Sequence, residues 1–239
     1  MKIDVYFTPL GIVAGDLAGR VVVVIDALRA TTTVITALAN GAKAVIPAAT
    51  SEEAVRLASN LEKDGVLLAG ERKSLKIEGF ALGNSPREMT PEAVAGQTIV
   101  LATTNGTPAL VAAQGGEPVL VGAPVNFKAL AARVRAALVQ RGDLVIICAG
   151  REKQFALEDA YTAGRVIKAA RKGIRKLRLN DAAHVAVGLT EQFAGWTQAL
   201  EGSEAARQLA EVDLAADVSF AAKADRFGVV PTYANRRIT

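Results

Sequence analysis

Residues 21–47 read VVVVIDALRATTTVITALANGAKAVIP, and this stretch decides the fold. Its first five residues are all β-branched, which is typical of a strand that is buried on both faces of a sheet. Asp26 follows that run, and a threonine-rich turn then leads into an alanine-rich helical segment. An Asn-Gly pair closes the helix before a second apolar run at 44–47. The order of strand, helix and strand predicts a parallel βαβ unit.

The same alternation of apolar runs and helical segments extends over the rest of the chain. It predicts strands at 3–7, 20–26, 44–47, 66–69, 98–102, 119–122 and 144–148. It predicts helices at 31–40, 52–64, 108–114, 127–140, 157–172, 181–201, 204–210 and 217–226. We therefore predict an α/β fold with three α/β/α layers and a mostly parallel sheet.

An internal repeat is visible in the order of these elements. A strand, a threonine-rich turn, a helix, a strand, a helix and a strand precede Gly70, and the same series starting at 98 precedes Gly150. The alternative is that any two βαβαβ units look alike. Because the loop residues recur together with the element order, we predict a duplication. The two related halves would be 1–95 and 96–239, the second with C-terminal helices, and they would face a shared crevice.

The composition limits the chemistry of the chain. Its 239 residues include one Cys and one His, which excludes cysteine-rich zinc sites and HExxH sites. The motifs GxxxxGK[ST] and GxGxxG are absent, so the sequence does not support a P-loop protein or a dinucleotide-binding protein. A metal ion would have to be held by oxygen atoms, which favours Mg²⁺. The net charge of +4 suits an anionic ligand.

Polar side chains follow four predicted strands, at the carboxyl ends where α/β sheets bind ligands. After the strand 20–26, Asp26 and Arg29 at a helix N-terminus fit a metal ion and a phosphate together. Helix capping by Thr31 is the alternative. The candidate metal ligands are Asp26, Glu71, Glu158 and Asp159. The candidate anion ligands are Arg29, Thr31, Thr32, Thr33, Arg72, Asn84, Ser85, Thr103, Thr104, Asn105, Gly106, Thr107 and Arg151.

Four stretches together resemble the 2-phosphosulfolactate phosphatase family. They are residues 21–47, GERKSLKIEGFALGNSPRE at 70–88, LATTNGTPAL at 101–110 and CAGREKQFALEDAYTAG at 148–164. The C-terminal third matches more loosely, through Asp225 and residues 229–231. The chain departs from the family pattern at Lys73-Ser74, where a glycine-containing turn is expected, and at Ala102 and Ala156, where Thr and Ser are expected.

The resemblance implies a Mg²⁺-dependent phosphoric monoester hydrolase. Its substrate would be 2-phospho-3-sulfolactate or a related 2-phospho-hydroxy acid, and its products 3-sulfolactate and phosphate, in a step of coenzyme M synthesis. We expect the catalytic residues to be Asp26, Arg29, Glu71 and Asp159. In this interpretation the threonine loops hold the phosphoryl group, and Arg72, Asn84 and Arg151 bind the carboxylate and sulfonate. Attack by a metal-activated water and attack by Asp26 through an aspartyl phosphate both remain open.

The expected partner is a small anionic phosphate ester, and a second copy of the chain in a homodimer is a further candidate. The longest apolar run, 21–25, is far below the roughly 20 residues that span a bilayer, so we expect no membrane and a cytoplasmic location. We also expect no nucleic acid, because the basic run 171–178 lacks aromatic stacking groups. The competing hypothesis is a non-catalytic anion- or nucleotide-binding protein that uses the same crevice.

Overall fold

The computed structural model describes residues 1–61, 65–174 and 176–239. Over these residues the strands are β1 Lys2–Tyr6, β2 Val21–Ile25, β3 Ala44–Ala48, β4 Val66–Arg72, β5 Leu75–Lys76, β6 Thr98–Ala102, β7 Val119–Gly122, β8 Asp143–Cys148, β9 Arg178–Leu179, β10 Thr232–Ala234 and β11 Arg237–Ile238. The α-helices are α1 Ala30–Ala39, α2 Ser51–Ser59, α3 Pro91–Val94, α4 Gly106–Ala112, α5 Phe127–Arg141, α6 Leu157–Ala170, α7 Asp181–Leu189, α8 Trp196–Glu201, α9 Glu204–Glu211 and α10 Ala215–Ala221. The predicted α/β fold with a mostly parallel sheet is confirmed.

The two repeats exchange their first strands within one sheet. The strand order is β5-β4-β6-β3-β11-β10-β7-β2-β8-β1-β9. The strand β6 opens the second repeat but lies between β4 and β3 of the first, parallel to both. The strand β2 opens the first repeat but lies between β7 and β8 of the second, again parallel to both. The division into 1–95 and 96–239 stays a prediction, and in the sheet the strands of these two stretches alternate.

A C-terminal hairpin joins two groups of parallel strands that run in opposite directions. The strand β10 is antiparallel to β7, β11 is antiparallel to β3, and the two hairpin strands are antiparallel to each other. The group β4-β6-β3 therefore runs opposite to the group β7-β2-β8-β1. The sequence, in contrast, predicts a mostly parallel sheet with the four polar loops at one edge.

The helices α1 and α4 pack against both strand groups. One apolar cluster joins residues of these two helices with Val22 and Val24 of β2 and with Ile99 and Leu101 of β6. The other face of β2 packs with α5, α6 and α7, and the other face of β6 packs with α2. Because β2 and β6 are covered on both faces, their buried side chains are apolar, and only the half-buried Thr98 at the start of β6 is polar.

Several predicted elements differ at their ends from those observed. The predicted helix 181–201 is two helices, α7 and α8. Residues 190–195 form a turn between them, and Gly195 is the N-cap of α8. The predicted helix 52–64 ends as α2 at Ser59, and its last three positions lie outside the described residues. The short elements α3, β5, β9, β10 and β11 have no counterpart in the prediction. None of the described helices is long and apolar enough to cross a membrane.

Candidate active site

One crevice collects the loops that follow β2, β4, β6 and β8. It encloses about 630 Å³, part of which is open to solvent. The predicted site residues that line it are Asp26, Arg29, Glu71, Asn84, Thr103, Thr104, Asn105, Arg151, Glu158 and Asp159. The predicted site residues that do not line it are Thr31, Thr32, Thr33, Arg72, Ser85, Gly106 and Thr107. The loops therefore converge as expected, although they come from strand groups of opposite direction.

The turn after β2 holds Asp26 in a fixed orientation at the start of α1. The Thr31 hydroxyl donates to the Asp26 carbonyl oxygen at 2.8 Å and accepts from the Asp26 N–H at 3.0 Å. The carboxylate Oδ1 of Asp26 accepts from the N–H of Ala30 at 3.1 Å. Its Oδ2 accepts no hydrogen bond from any described residue, so this oxygen is available to a ligand.

The three threonines of this turn hold backbone rather than facing the crevice. The Thr32 hydroxyl donates to the carbonyl oxygen of Ala27, and the Thr33 hydroxyl donates to that of Asn84, each at 2.8 Å. All three threonines are buried. The expectation that they bind phosphoryl oxygens is therefore not matched by their geometry. A threonine-rich turn at a helix start needs its hydroxyls to satisfy the local backbone.

The second repeat builds the same turn without an acid. The Thr107 hydroxyl donates to the Thr103 carbonyl oxygen at 2.9 Å and accepts from the Thr103 N–H at 3.4 Å, as Thr31 does with Asp26. The Thr103 hydroxyl accepts from the N–H of Thr107 at 3.0 Å. Thr103 thus takes the position of Asp26 in the repeat. The duplicated turn carries a carboxylate in one copy only, so the site is asymmetric.

Gly106 packs against Asp26 and does not line the crevice. A Cβ atom at this position would overlap the Cβ of Ala30 and would lie 2.7 Å from Oδ2 of Asp26. The starts of α1 and α4 are therefore in direct contact, and the lack of a side chain at Gly106 permits it. The role of Gly106 in phosphate binding stays a prediction, and its close packing against Asp26 is an additional feature of this position.

Glu71 joins the first-repeat hairpin to the second-repeat loop. Its Oε1 accepts from the N–H of Thr104 at 2.7 Å, and its Oε2 accepts from the N–H of Ser74 at 2.9 Å. Both oxygens of this buried carboxylate are thus used by backbone amides. A second side chain joins the loop after β6 to the loop after β8, because Asn105 Oδ1 accepts from the N–H of Glu152 at 3.0 Å.

Asp159 and Glu158 reach the crevice from the first turn of α6. The carboxylate of Asp159 accepts from the N–H of Ala27 at 2.8 Å and from that of Gly150 at 3.1 Å. It therefore ties together the loops after β2 and β8. Glu158 is also buried and lines the crevice.

The acids destabilise one another's charged forms. Burial raises the pKa of Asp26 to about 7, and the nearby charges of Glu158 and Glu71 add to the rise against the opposing effects of the Ala30 amide and Arg29. Burial also raises the pKa of Glu158, and burial with the Glu158 and Asp26 charges raises that of Asp159 well above its usual range. A bound cation would reduce the repulsion between these carboxylates. Clusters of acids with raised pKa values are common at functional sites.

Arg29 is held in the crevice by a residue that sequence reasoning missed. Its Nη1 donates to Oδ2 of Asp217 at 2.9 Å, and its Nη2 donates to the Ser74 carbonyl oxygen at 2.7 Å. The Ser85 hydroxyl donates to the other oxygen of Asp217 at 2.7 Å. Asp217 has no exposed surface and lies on α10. Ser85 therefore supports the arginine instead of binding a ligand, and an acid on the apolar face of a C-terminal helix is the signal that could have revealed the pair.

The other predicted arginines differ in their exposure to the crevice. Arg151 lines it with a side chain that is 22% exposed, and its guanidinium lies 3.8 Å from the carboxylate of Glu152. Arg72 is exposed, donates to the carbonyl oxygen of its neighbour Glu71 and does not line the crevice. The strand β4 alternates its faces, so Glu71 and Arg72 point to opposite sides. Arg72 is thus not brought to the predicted substrate site.

The atoms of the crevice that could coordinate a metal ion are oxygens, and oxygen ligands fit a hard cation. Asn84 is buried in the crevice wall, and its side-chain Oδ1 has no hydrogen-bond partner. Such an orphaned acceptor is suited to a cation or to a donor group of a ligand. Among the residues that the structure describes, no group of three or more His, Cys, Asp or Glu side chains is arranged as a preformed metal cage.

Comparison with known proteins identifies relatives over almost the whole chain. A family model described as 2-phosphosulpholactate phosphatase matches residues 6–236. A protein of Caldanaerobacter subterraneus subsp. tengcongensis is 39% identical over 236 residues, which cover 98% of this chain and 96% of the relative. A protein of Clostridium acetobutylicum is 35% identical over 238 residues and the full length of both chains. Both relatives are named "Probable 2-phosphosulfolactate phosphatase".

The fold, the acid- and arginine-lined crevice and these relatives define the class of the protein. It is an enzyme of the phosphoric monoester hydrolase class with an α/β fold. Within that class the chain belongs to the 2-phosphosulfolactate phosphatase family. The resemblance seen in the sequence is therefore confirmed. The hypothesis of a non-catalytic anion- or nucleotide-binding protein gains no support from these relatives.

Proposed function

We propose that this chain hydrolyses 2-phospho-3-sulfolactate, or a related 2-phospho-hydroxy acid, to 3-sulfolactate and phosphate with the help of Mg²⁺. The observation that carries the proposal is the juxtaposition of buried acids and arginines in one crevice. Burial raises the pKa of Asp26 to about 7, and Arg29 and Arg151 line the same space. A site of this kind suits a cation and a multiply anionic ester together. The names of the relatives supply the particular substrate.

The chain offers Mg²⁺ a partial set of ligands. Oδ2 of Asp26 and Oδ1 of Asn84 are crevice oxygens without a hydrogen-bond partner among the described residues, and Glu158 adds a buried carboxylate. A complete protein cage is not required, because Mg²⁺ usually keeps several waters and binds through one or two carboxylates plus substrate phosphate. When bound, the ion would act as a Lewis acid and lower the pKa of a coordinated water.

The remaining charged groups would position the ester and stabilise charge. Glu71 and Asp159 use their oxygens on backbone amides, so we assign them the task of holding the four loops in register. Arg29 keeps three N–H groups beyond its two bonds to Asp217 and Ser74, and these would balance the charge on the phosphoryl oxygens. Arg151 would bind a second anionic group.

Phosphate release from the purified chain tests the proposal. With 2-phospho-3-sulfolactate and Mg²⁺ we expect steady release, which EDTA abolishes and fresh Mg²⁺ restores. Asp26→Asn should reduce the rate by about a thousandfold or more, because it removes a group at the reacting centre. The control Asp181→Asn makes the same change at an exposed residue of α7 and should keep the wild-type rate. Binding of these esters without release from any of them would favour the anion-binding alternative.

The attacking group is a separate question that the same reaction answers. If Asp26 attacks, a single turnover stopped with acid should leave the phosphoryl group on the protein as an aspartyl phosphate. If a water molecule attacks, the protein should carry no phosphoryl group at any time during the turnover. The Oδ2 of Asp26, which has no hydrogen-bond partner among the described residues, is compatible with either course.

A further inference from the structure

The basic side chains that line the crevice differ in whether a nearby carboxylate already neutralises their charge. Arg29 pairs with the buried Asp217 at 2.9 Å, and Arg151 lies 3.8 Å from Glu152. Lys73 also lines the crevice, and it forms no ion pair with any residue in the described part of the chain. Its ammonium is therefore the crevice cation whose charge is left for a ligand.

The backbone at Lys73 is unusual for a side chain of this size. Lys73 has φ 50° and Ser74 has φ 68°, so the turn between β4 and β5 uses two left-handed residues. Hairpin turns of this type favour glycine and asparagine, because a Cβ atom disfavours the left-handed region. Lys73 is thus held in a left-handed turn at the edge of the crevice that it lines.

The turn is attached directly to the charged groups of the site. The Ser74 N–H donates to Oε2 of Glu71 at 2.9 Å, and the Ser74 carbonyl oxygen accepts from Nη2 of Arg29 at 2.7 Å. The position of Lys73 is therefore coupled to an acid and an arginine that line the same crevice. Lys73 itself is exposed, so its flexible stem lies nearer the mouth than the buried guanidinium of Arg29.

We propose that Lys73 is a specificity-determining residue that pairs with the anionic group of the substrate farthest from the phosphoryl group. This inference rests on the proposed phosphatase function, and for 2-phospho-3-sulfolactate the group is the sulfonate. A compact ammonium on a flexible stem suits three equivalent sulfonate oxygens, whereas the planar guanidinium of arginine suits carboxylate and phosphate. Recognition by Lys73 would select esters that carry this additional charge.

Kinetics on two matched substrates test the proposal. The first is 2-phospho-3-sulfolactate, and the second is 2-phospholactate, which has a methyl group in place of the sulfonate-bearing carbon. For Lys73→Gly we expect kcat/KM on the sulfonate ester to fall about tenfold through KM, with a change below about twofold on 2-phospholactate. Lys73→Arg should retain most of the preference for the sulfonate ester. The glycine variant should also fold well, because it relieves the left-handed backbone.

Lys153→Gly is the matched control. Lys153 has φ 66° in the corresponding turn of the second repeat, is exposed and does not line the crevice. Its replacement removes the same charge from the same type of turn and should leave both kcat/KM values unchanged. An equal loss on both substrates for Lys73→Gly, or no loss on either, would overturn the role of Lys73. Failure of the wild-type chain to hydrolyse either ester would instead overturn the proposed function.

Discussion

Replacing Gly106 by alanine tests whether contact between the starts of α1 and α4 fixes Asp26, the acid that we propose for the reacting centre. The new Cβ would lie 2.7 Å from Oδ2 of Asp26 and would overlap the Cβ of Ala30. A carbon–oxygen contact normally needs about 3.3 Å, so the carboxylate must move by roughly 0.6 Å and the two helices must separate further. Overpacking of this kind destabilises by about 1–3 kcal/mol. A displacement near 1 Å at a reacting group reduces rates by about a hundredfold.

Thermal unfolding and phosphate release, measured on the same preparation, give the two magnitudes separately. For a chain of this length we expect Gly106→Ala to lower Tm by about 3–10 °C, and we expect kcat to fall by one to two orders of magnitude, about the loss given above. Gly188→Ala is the control, because Gly188 of α7 has no atom within 4 Å of its new Cβ. It should raise Tm slightly through helix propensity and leave the rate unchanged.

The two readouts also separate the ways in which this reasoning can fail. An unchanged Tm and rate for Gly106→Ala would refute the tight contact itself. A lowered Tm with a wild-type rate would confirm the contact but refute its connection to the orientation of Asp26.

Three further substitutions have expected outcomes. In metal-free protein, Asp26→Asn should raise the free energy of unfolding by roughly 1–3 kcal/mol at pH 8 and should leave it unchanged at pH 4. The pKa of Asp26 is raised from its usual 3.8 to about 7, so the folded state loses stability as the pH rises through this range, and asparagine removes that loss. Equal gains at both pH values would contradict this. Asp217→Ala should destabilise by about 3–5 kcal/mol in chemical unfolding, since it leaves a buried guanidinium unpaired, whereas Glu204→Gln in an exposed pair should change nothing. Thr33→Val should destabilise by about 1–3 kcal/mol and Thr33→Ser by less, because the hydroxyl satisfies the Asn84 carbonyl; a loss of rate in Thr33→Val without a loss of stability would instead place the Thr33 hydroxyl at the substrate site.

Local sequence patterns predict most strands and the residues that meet in the crevice. The apolar run before Asp26 identifies β2 because burial on both faces requires it. Glu71, Glu158 and Asp159 all reach the crevice because each stands at the carboxyl end of a strand or at the start of the helix that follows one. These are short-range relations between a residue and its own element.

Long-range relations account for what the sequence does not predict. The pairing of β6 with β3 and β4 is set by packing across the whole chain, and no local pattern encodes it. Arg29 and Asp217 are 188 residues apart, so the position of Asp217 on α10 could at most reveal a buried acid and not identify its partner. The turn at Asn235 and Arg236 contains no glycine although both residues have positive φ, so the C-terminal hairpin lacks its usual signal.

The exchange of first strands has a consequence for how the protein folds. A fragment that contains only the first repeat would lack β6 and leave β3 and β4 with unpaired edges, and the second repeat alone would lack β2 between β7 and β8. Neither fragment can close its own hydrogen-bond ladder, and exposed edges of this kind favour aggregation. The two repeats therefore fold as one cooperative unit through contacts between distant segments, which slows folding. Because each repeat holds a strand of the other, a change in the strands of one repeat also alters the pairing of the other.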